Sequence, residues 1–157
     1  AGAVRLRDEL APTTKIAVLS NGTRADRPAV YDALMLVDDN ILKLDTVDAD
    51  YIQRIDQPVA AYDVEHQIET FASFAGHVII QTMFLTGTWQ GHVMDNTGDA
   101  YVNPWLDALA RIRPQAVTIY TVARETPAKG LLKAPAEVLD AIAARVHKLG
   151  IPCQVSY

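Results

Sequence analysis

The sequence predicts an α/β protein built on a parallel sheet, and three observations carry that prediction. Apolar, β-branched runs of strand length alternate with amphipathic helical patterns along the 157 residues. The four strongest runs begin at positions 15, 41, 78 and 116, so one strand–helix unit takes 26, 37 or 38 residues, which is the spacing that right-handed βαβ crossovers need. The runs also read as buried on both faces, which is typical of parallel strands.

Five strands follow from these runs, each a short apolar segment bounded by turn or helix signals. They are expected at Lys15–Ser20, Ile41–Asp45, Val78–Phe84, Ala116–Val122 and, with a weaker pattern, Ile151–Val155.

The helices between the strands are predicted from apolar periodicity and end signals. The clearest is Pro135–Leu149, with apolar residues on one face and Gly150 as the C′ residue. Another is expected to begin with Asn103 as N-cap and Pro104 at the first helical position. Three more are expected at about Arg27–Val37, Val64–Phe74 and Val4–Leu10, while Gln57-Pro58 marks an irregular turn and Thr86–Val102 a long loop.

Composition limits the class of protein. The chain is long enough for one domain and contains no repeat or linker, so residues 1–157 are read as a single domain. Its one cysteine, Cys153, cannot form an internal disulfide or hold an iron–sulfur cluster alone and is expected to be a small buried hydrophobe. Apolar runs fall far below the ~20 residues of a membrane span. With no signal-peptide pattern, a cytoplasmic location is expected.

The net charge of the chain bears on which partners it can bind. The chain carries 14 Lys and Arg against 19 Asp and Glu, a net charge of −5 spread along its length. Because an acidic chain repels phosphate backbones, nucleic acid is not an expected partner. A membrane is not expected as a partner either.

Candidate functional residues lie at the predicted carboxyl ends of the strands, where parallel α/β sheets bind ligands. They are Ser20, Asn21, Gly22 and Thr23 after the first strand; Lys43, Asp45 and Asp48 at the second; Gln81 and Thr82 in the third; Trp89, His92, Asp95, Asn96, Asp99 and Tyr101 in the following loop; and Thr118, Tyr120, Thr121, Arg124 and Glu125 at the fourth.

Simpler interpretations stand beside these. Ser20-Asn21-Gly22 is also an ordinary turn sequence, and Lys43 and Asp45 alternate with leucines as a solvated strand face does. In a sheet covered on both faces, however, inward charges need partners or a polar cavity. The segment from His92 to Asp99 matches no metal-ligand spacing, so a polar loop is favoured there and no metal site is predicted.

Three motifs, in order, resemble the later part of radical S-adenosylmethionine (radical SAM) enzymes of the group labelled Fe–S oxidoreductases. The first is the strand end Ser20-Asn21-Gly22, and the second is the strand Lys43-Leu44-Asp45, followed by an Arg54–Pro58 echo. The third is the strand end Thr121–Pro127, before a helix that starts with the residues 134–137. The similarity runs over residues 15–151 and implies strands three to six of a six-stranded partial TIM barrel, (β/α)6.

Two parts of the family pattern are missing. Members hold a [4Fe–4S] cluster on a C-x3-C-x2-C motif after the first barrel strand and bind the cofactor's amino group at a Gly-Gly-Glu-type strand end; the sequence contains neither. Thiolates hold such clusters. We therefore expect a piece of a longer protein, with a naturally degenerate homologue as the alternative. The 157 residues alone are expected to hold no cofactor and to be inactive.

The resemblance also implies residue roles in the full-length protein. Ser20 and Asn21 would lie near the methionine moiety of S-adenosylmethionine, and Lys43 or Asp45 would contact its carboxylate or ribose. Gln81, with Thr82, would line the ribose and adenine side, and the backbone at Thr121 would meet the adenine. The candidates for contact with an unidentified, small-molecule substrate are Arg124, Trp89 and His92. The catalytic residues are not identified, since reductive cleavage to a 5′-deoxyadenosyl radical belongs to the cluster and cofactor.

Two other functions remain open. One is a self-contained small α/β enzyme that uses Lys43, Asp45 and Gln81 for acid–base or carbonyl chemistry. The other is a non-catalytic interaction module whose open sheet edge binds a partner or a second copy. Because an uncovered edge promotes association, a homo-oligomer is expected.

Overall fold

A computed structural model describes residues 2–59, 61–123 and 128–157. The strands are β1 (Ala17–Ser20), β2 (Asp39–Lys43), β3 (Ile79–Met83), β4 (Leu85–Trp89), β5 (His92–Val93), β6 (Ala116–Tyr120), β7 (Leu131–Lys133) and β8 (Cys153–Ser156). The helices are α1 (Gly2–Leu10), α2 (Pro28–Met35), α3 (Ala49–Ile55), α4 (Val64–Ser73), α5 (Asp99–Ile112) and α6 (Ala136–Lys148).

The main sheet has the order β1-β2-β3-β6-β8, and all four neighbouring pairs are parallel. Each new strand is added on the same side of the one before it. With crossovers of one hand, such an order places the connecting helices on one face of the sheet, and α4 packs on α5 and α5 on α6. The α/β class and the parallel sheet are thereby confirmed, and the topology is that of part of a TIM-like barrel.

The two faces of the sheet differ in burial. In β2, β3 and β6 every second residue is buried, and the residues between are only half-buried. The buried set points towards large helix side chains such as Phe71, Trp105 and Leu139. The expectation of strands buried on both faces is therefore wrong, because the helices cover only one of them. The open face carries Lys43 and Gln81.

Helix α5 begins five residues earlier than the sequence indicated. Gly98 is its N-cap, and Pro104 lies inside the helix instead of at its first position. A proline in the interior removes one helical hydrogen bond, but the fully buried Val102 packs in the turn before it. Asn103 accepts a hydrogen bond from Arg145 and is not the N-cap. Tertiary packing thus overrides the local start signal.

One helix and three short strands were missed. The segment before Gln57 contains α3, whose N-cap Asp48 accepts a hydrogen bond from the Tyr51 N–H at 2.7 Å. The expected loop Thr86–Val102 instead contains a hairpin of β4 and β5, and β4 also pairs with β7 in a small antiparallel sheet. Gln90 and Gly91 form its two-residue turn, both at positive φ (+50° and +79°), as hairpin turns of this length require.

No helix in the described ranges has the length and apolar character to cross a bilayer.

Candidate functional site

A cavity of about 240 Å³ opens at the carboxyl end of β2. It lies between the loop after β1, the end of β2, helix α3 and the segment that follows α3. Its walls are Asn21, Thr23, Lys43, Leu44, Asp45, Thr46, Ile52, Asp56, Pro58 and Tyr62. Four of the candidate residues predicted from the sequence therefore meet in one place: Asn21, Thr23, Lys43 and Asp45.

Lys43 and Asp45 form the charged centre of this cavity. Lys43 Nζ lies 2.7 Å from Asp45 Oδ2, and only 4% of the Asp45 side chain is exposed. Burial alone would lower the pKa of Lys43, but the charge and hydrogen bond of Asp45 outweigh it and raise that pKa above its ordinary value. Lys43 is thus a permanent cation at neutral pH, which argues against Lys43 as a general base or carbonyl nucleophile.

The position of Asp45 is set by a hydrogen-bonded junction between strand ends. Its Oδ1 accepts the Met83 N–H at 2.7 Å. The buried Asn96 donates from Nδ2 to the carbonyls of Asp45 (3.1 Å) and Met83 (2.8 Å), and its Oδ1 accepts the Leu85 N–H at 2.9 Å. Asn96 therefore ties the chain after β2 to the link between β3 and β4, and holds the Asp45 backbone in place.

A second carboxylate and a phenol complete the cavity, and both were missed by sequence reasoning. Burial raises the pKa of Asp56, the charge of Asp45 adds to this rise, and Lys43 opposes it. Burial, with Asp56 and Asp45, raises the pKa of Tyr62 to about 12, so the phenol is neutral. The available signal was the Asp48 N-cap, which predicts a helix that carries Asp56 to the end of β2.

Tyr120, at the end of β6, also interacts with this centre. Burial and the charge of Asp45 raise the pKa of Tyr120, and Lys43 partly offsets them. Its phenol is consequently neutral and can serve as a hydrogen-bond donor beside Lys43.

Gln81 lies next to Lys43 on the open face. The two residues are register partners between β2 and β3, and the same row continues through Thr118 in β6 to Gln154 in β8. A band of polar side chains thus crosses the open face at the level of Lys43. This band gives a ligand hydrogen-bonding groups along four strands.

Ser20, Asn21 and Thr121 make local contacts. Ser20 Oγ accepts the Gly22 N–H at 3.1 Å, and Asn21 Oδ1 accepts from the N–H and hydroxyl of Thr23. Thr121, 3% exposed, accepts the Ala134 N–H on Oγ1 at 2.8 Å. Asn21 keeps its amide donors for the cavity, whereas the hydroxyls of Ser20 and Thr121 already hold backbone groups.

Trp89 and His92 line another cavity. The two residues are register partners in the β4–β5 hairpin, and they border a space of about 210 Å³ together with Gln53, Arg54, Gln57, Gln90 and Met94. The cavity shares no lining residue with the one around Lys43. Arg124, the third predicted substrate contact, lies outside the described residues.

The side chains do not fit an iron–sulfur cluster. The sequence has one cysteine, and burial raises the pKa of Cys153 to about 11, which disfavours the thiolate that binds metal. Among the described residues, no group of three or more His, Cys, Asp or Glu side chains is placed to hold a metal ion. Ligands for a [4Fe–4S] cluster would have to come from other residues.

Comparison with curated proteins gives a relative of unassigned function. The UPF0026 protein slr1464 of Synechocystis sp. is 33% identical over 114 residues, which are 70% of this chain and 40% of the relative. The chain therefore spans about 40% of the length of that relative. No family model matches the sequence.

Solved structures show where the fold recurs. A domain of pyruvate-formate lyase-activating enzyme from Bacteroides vulgatus aligns over 90% of this chain and 80% of its own, with a TM-score of 0.67 and 12% identity. A radical SAM methyltransferase from Sphaerobacter thermophilus aligns over 90% and 40%, with a TM-score of 0.63 and 17% identity.

Streptococcus suis SuiB aligns over 99% of this chain and 35% of its own, with a TM-score of 0.64 and 10% identity. At such identities the likeness concerns the backbone fold. The chain thus shares its α/β fold with a radical SAM methyltransferase and with a domain of a pyruvate-formate lyase-activating enzyme.

Proposed function

We propose that the chain is the cofactor- and substrate-facing part of a radical SAM enzyme of the Fe–S oxidoreductase group. The observation that carries this proposal is the ion pair of the half-buried Lys43 with the buried Asp45, beside Gln81 at the carboxyl end of a partial barrel sheet. The three ordered motifs and the fold shared with a radical SAM methyltransferase support it. The strands β1, β2, β3 and β6 would then correspond to strands three to six of the barrel, and the chain would function only within a longer protein.

In that role the chain would bind and orient S-adenosylmethionine. The Lys43 ammonium suits the carboxylate of the cofactor, the Asn21 amide its methionine moiety, and Gln81 its ribose hydroxyls. Asp45 would orient Lys43, and the backbone at Thr121 would lie along the adenine. The radical chemistry itself is supplied by the cofactor and a [4Fe–4S] cluster held elsewhere in the full-length protein.

Substrate selection is assigned to the second cavity, which Trp89 and His92 line. Trp89 and His92 form an aromatic edge on the β4–β5 hairpin, and Arg124 follows β6 in the sequence. An aromatic edge and a cation would select a small molecule by shape and charge.

Calorimetric titration of the full-length protein that contains these residues with S-adenosylhomocysteine tests the proposal, because this ligand has the carboxylate, ribose and adenine of the cofactor. We expect Lys43→Ala to weaken binding at least about tenfold, the effect of losing one charge-assisted hydrogen bond. Lys148→Ala, on the exposed end of α6, is the matched control and should change nothing. Absence of binding, or equal binding by Lys43→Ala and the original chain, would refute the assignment.

A further inference from the structure

Asp56 stands apart from the other charges of the β2 cavity. Lys43 is already paired with Asp45 at 2.7 Å, and in the described part of the chain no cation lies within ion-pair distance of Asp56. Its backbone N–H caps α3 through the Ile52 carbonyl at 2.9 Å. The carboxylate itself, exposed at the cavity mouth, has no partner of opposite charge in direct contact.

The charge count of the cavity therefore favours a cation. Its charged lining residues are Lys43, Asp45 and Asp56, a net charge of −1. Lys43 contacts Asp45 and offsets the charge of Asp56 only in part, so the cavity keeps one excess negative charge. The protein walls of the cavity also displace part of the water around this exposed carboxylate. An ion pair formed there gains more than one on an open surface.

The neighbouring walls suit the stem and head of an amine. Ile52 and Pro58 give the same cavity apolar surface, against which methylene groups can pack. Tyr62 adds an aromatic ring that stays uncharged, since the pKa of its phenol is raised to about 12. A neutral aromatic ring attracts an ammonium group through its quadrupole.

We propose that the β2 cavity binds an aliphatic primary ammonium group, with Asp56 as its counter-charge and Tyr62 as its aromatic wall. The ammonium belongs either to a free small amine or to a lysine side chain of a peptide. The site stands on the charges of the cavity; identifying its ligand as the enzyme's substrate rests on the proposed function.

Titration of the ¹⁵N-labelled chain with cadaverine, followed by NMR, tests this site. Cadaverine should shift the backbone amides of Asp56 and Tyr62, and 1,5-pentanediol, which has the same stem without charge, should not. Asp56→Asn should weaken cadaverine binding about tenfold, the effect of losing a charge-assisted hydrogen bond. Asp50→Asn removes the same charge from an exposed position on the same helix and should change the affinity less than about twofold.

Two results would overturn the proposal: equal binding of cadaverine and pentanediol, or equal weakening by Asp56→Asn and Asp50→Asn. A Gly-Lys-Gly peptide distinguishes the sources. Tighter binding of the peptide than of cadaverine identifies a peptide lysine, and the reverse identifies a free amine. If this chain shows Asp56-dependent amine binding and the full-length protein does not bind S-adenosylhomocysteine, the ammonium site stands and the radical SAM assignment fails. If S-adenosylhomocysteine binds but amine binding does not depend on Asp56, the ammonium site is refuted and the radical SAM assignment stands.

Discussion

At the scale of single residues, Asp45 controls the state of Lys43. In Asp45→Asn the amide oxygen can still accept the Met83 N–H, but Lys43 loses its counter-charge. Breaking a fully buried pair costs ~3–5 kcal/mol; since 32% of the Lys43 side chain is exposed, we expect a loss of about 1–3 kcal/mol. Urea unfolding at neutral pH measures it.

The same variant should lower the pKa of Lys43, because burial then acts without opposition from Asp45. A ¹⁵Nζ titration reads this directly, with Asp50→Asn as the control. If both the unfolding midpoint and the Lys43 titration stay unchanged, the pair does not have the role assigned to it.

Asp56 makes stability depend on pH in the opposite sense to an ordinary ion-paired carboxylate. Its folded pKa is raised, so the folded state binds more protons than the unfolded state between the ordinary carboxyl pKa and the raised one. Stability contributed by this group therefore falls as pH rises through that window. Asp56→Asn should gain stability relative to the original chain as the pH rises above the ordinary carboxyl pKa, measured by thermal unfolding. Asp50→Asn should not, because it removes a favourable charge from the first turn of α3; equal trends for both variants would contradict the assignment.

Gly22 is required for a different reason, the close approach of two elements. Its φ is +71°, and an added Cβ would lie 2.6 Å from the Phe71 ring and 2.9 Å from Gln67 Nε2. Gly22→Ala should therefore cost more than Gly150→Ala, where φ is +77° but nothing lies within 4 Å. The backbone penalty of ~1–2 kcal/mol is common to both, and an overpacking cost of ~1–3 kcal/mol is added only at Gly22. Equal unfolding free energies for the two variants would show that the Phe71 ring moves away from the added Cβ without an energetic cost.

At the scale of elements, Asn96 joins the chain after β2, the carbonyl of Met83 in β3 and the start of β4 through three hydrogen bonds of 2.8–3.1 Å. Asn96→Ala leaves the Leu85 N–H and two carbonyls without these partners. Each such group costs ~1–3 kcal/mol, and we expect a total of about 3 kcal/mol. Asn40→Ala removes one bond, to the His77 carbonyl, and an oxygen that already lacks a partner, so its cost should be near 1 kcal/mol. Chemical denaturation compares them; a smaller effect at Asn96 would contradict the junction.

An element could be predicted from the sequence where its formation depends on a local apolar pattern, and not where it depends on tertiary packing or on an unusual backbone conformation. Strands such as β3 and helices such as α6 follow from periodicity, because burial on the helix-covered face alone fixes their pattern. The early start of α5 depends on the packing of Val102, and the β4–β5 hairpin on positive φ at Gln90. Neither is encoded in a local apolar pattern.

The same division applies to the site. Lys43, Asp45 and Gln81 are recognisable because charges and amides within apolar strands are unusual and strand ends meet at one edge. Asp56 and Tyr62 belong to exposed, polar segments, and only the path of the chain after α3 brings them to the end of β2. Site residues that are far apart in the sequence and that no local pattern marks can be recognised only once the fold is known.

At the scale of the whole molecule, one face of the main sheet is not covered by the helices and carries exposed apolar side chains. Leu19, Ile41, Ile79 and Ala116 are register partners across four strands and form an apolar row on this face. Leu19 is 61% exposed, and β1 at the sheet margin has only β2 as a neighbour in the sheet. An unpaired edge beside exposed apolar side chains favours association.

We therefore predict that the chain forms dimers or larger oligomers through the β1 edge and the open face. Leu19→Lys adds a charge at that edge, which natural edge strands use to prevent pairing, and it should shift sedimentation velocity profiles towards monomer. Leu36→Lys is the matched control, since Leu36 is 54% exposed but caps the end of α2; it should leave the profile unchanged. A monomer at every concentration, or equal dissociation by both variants, would mean that this face does not mediate association, and only the cofactor or the rest of a longer protein would then cover it.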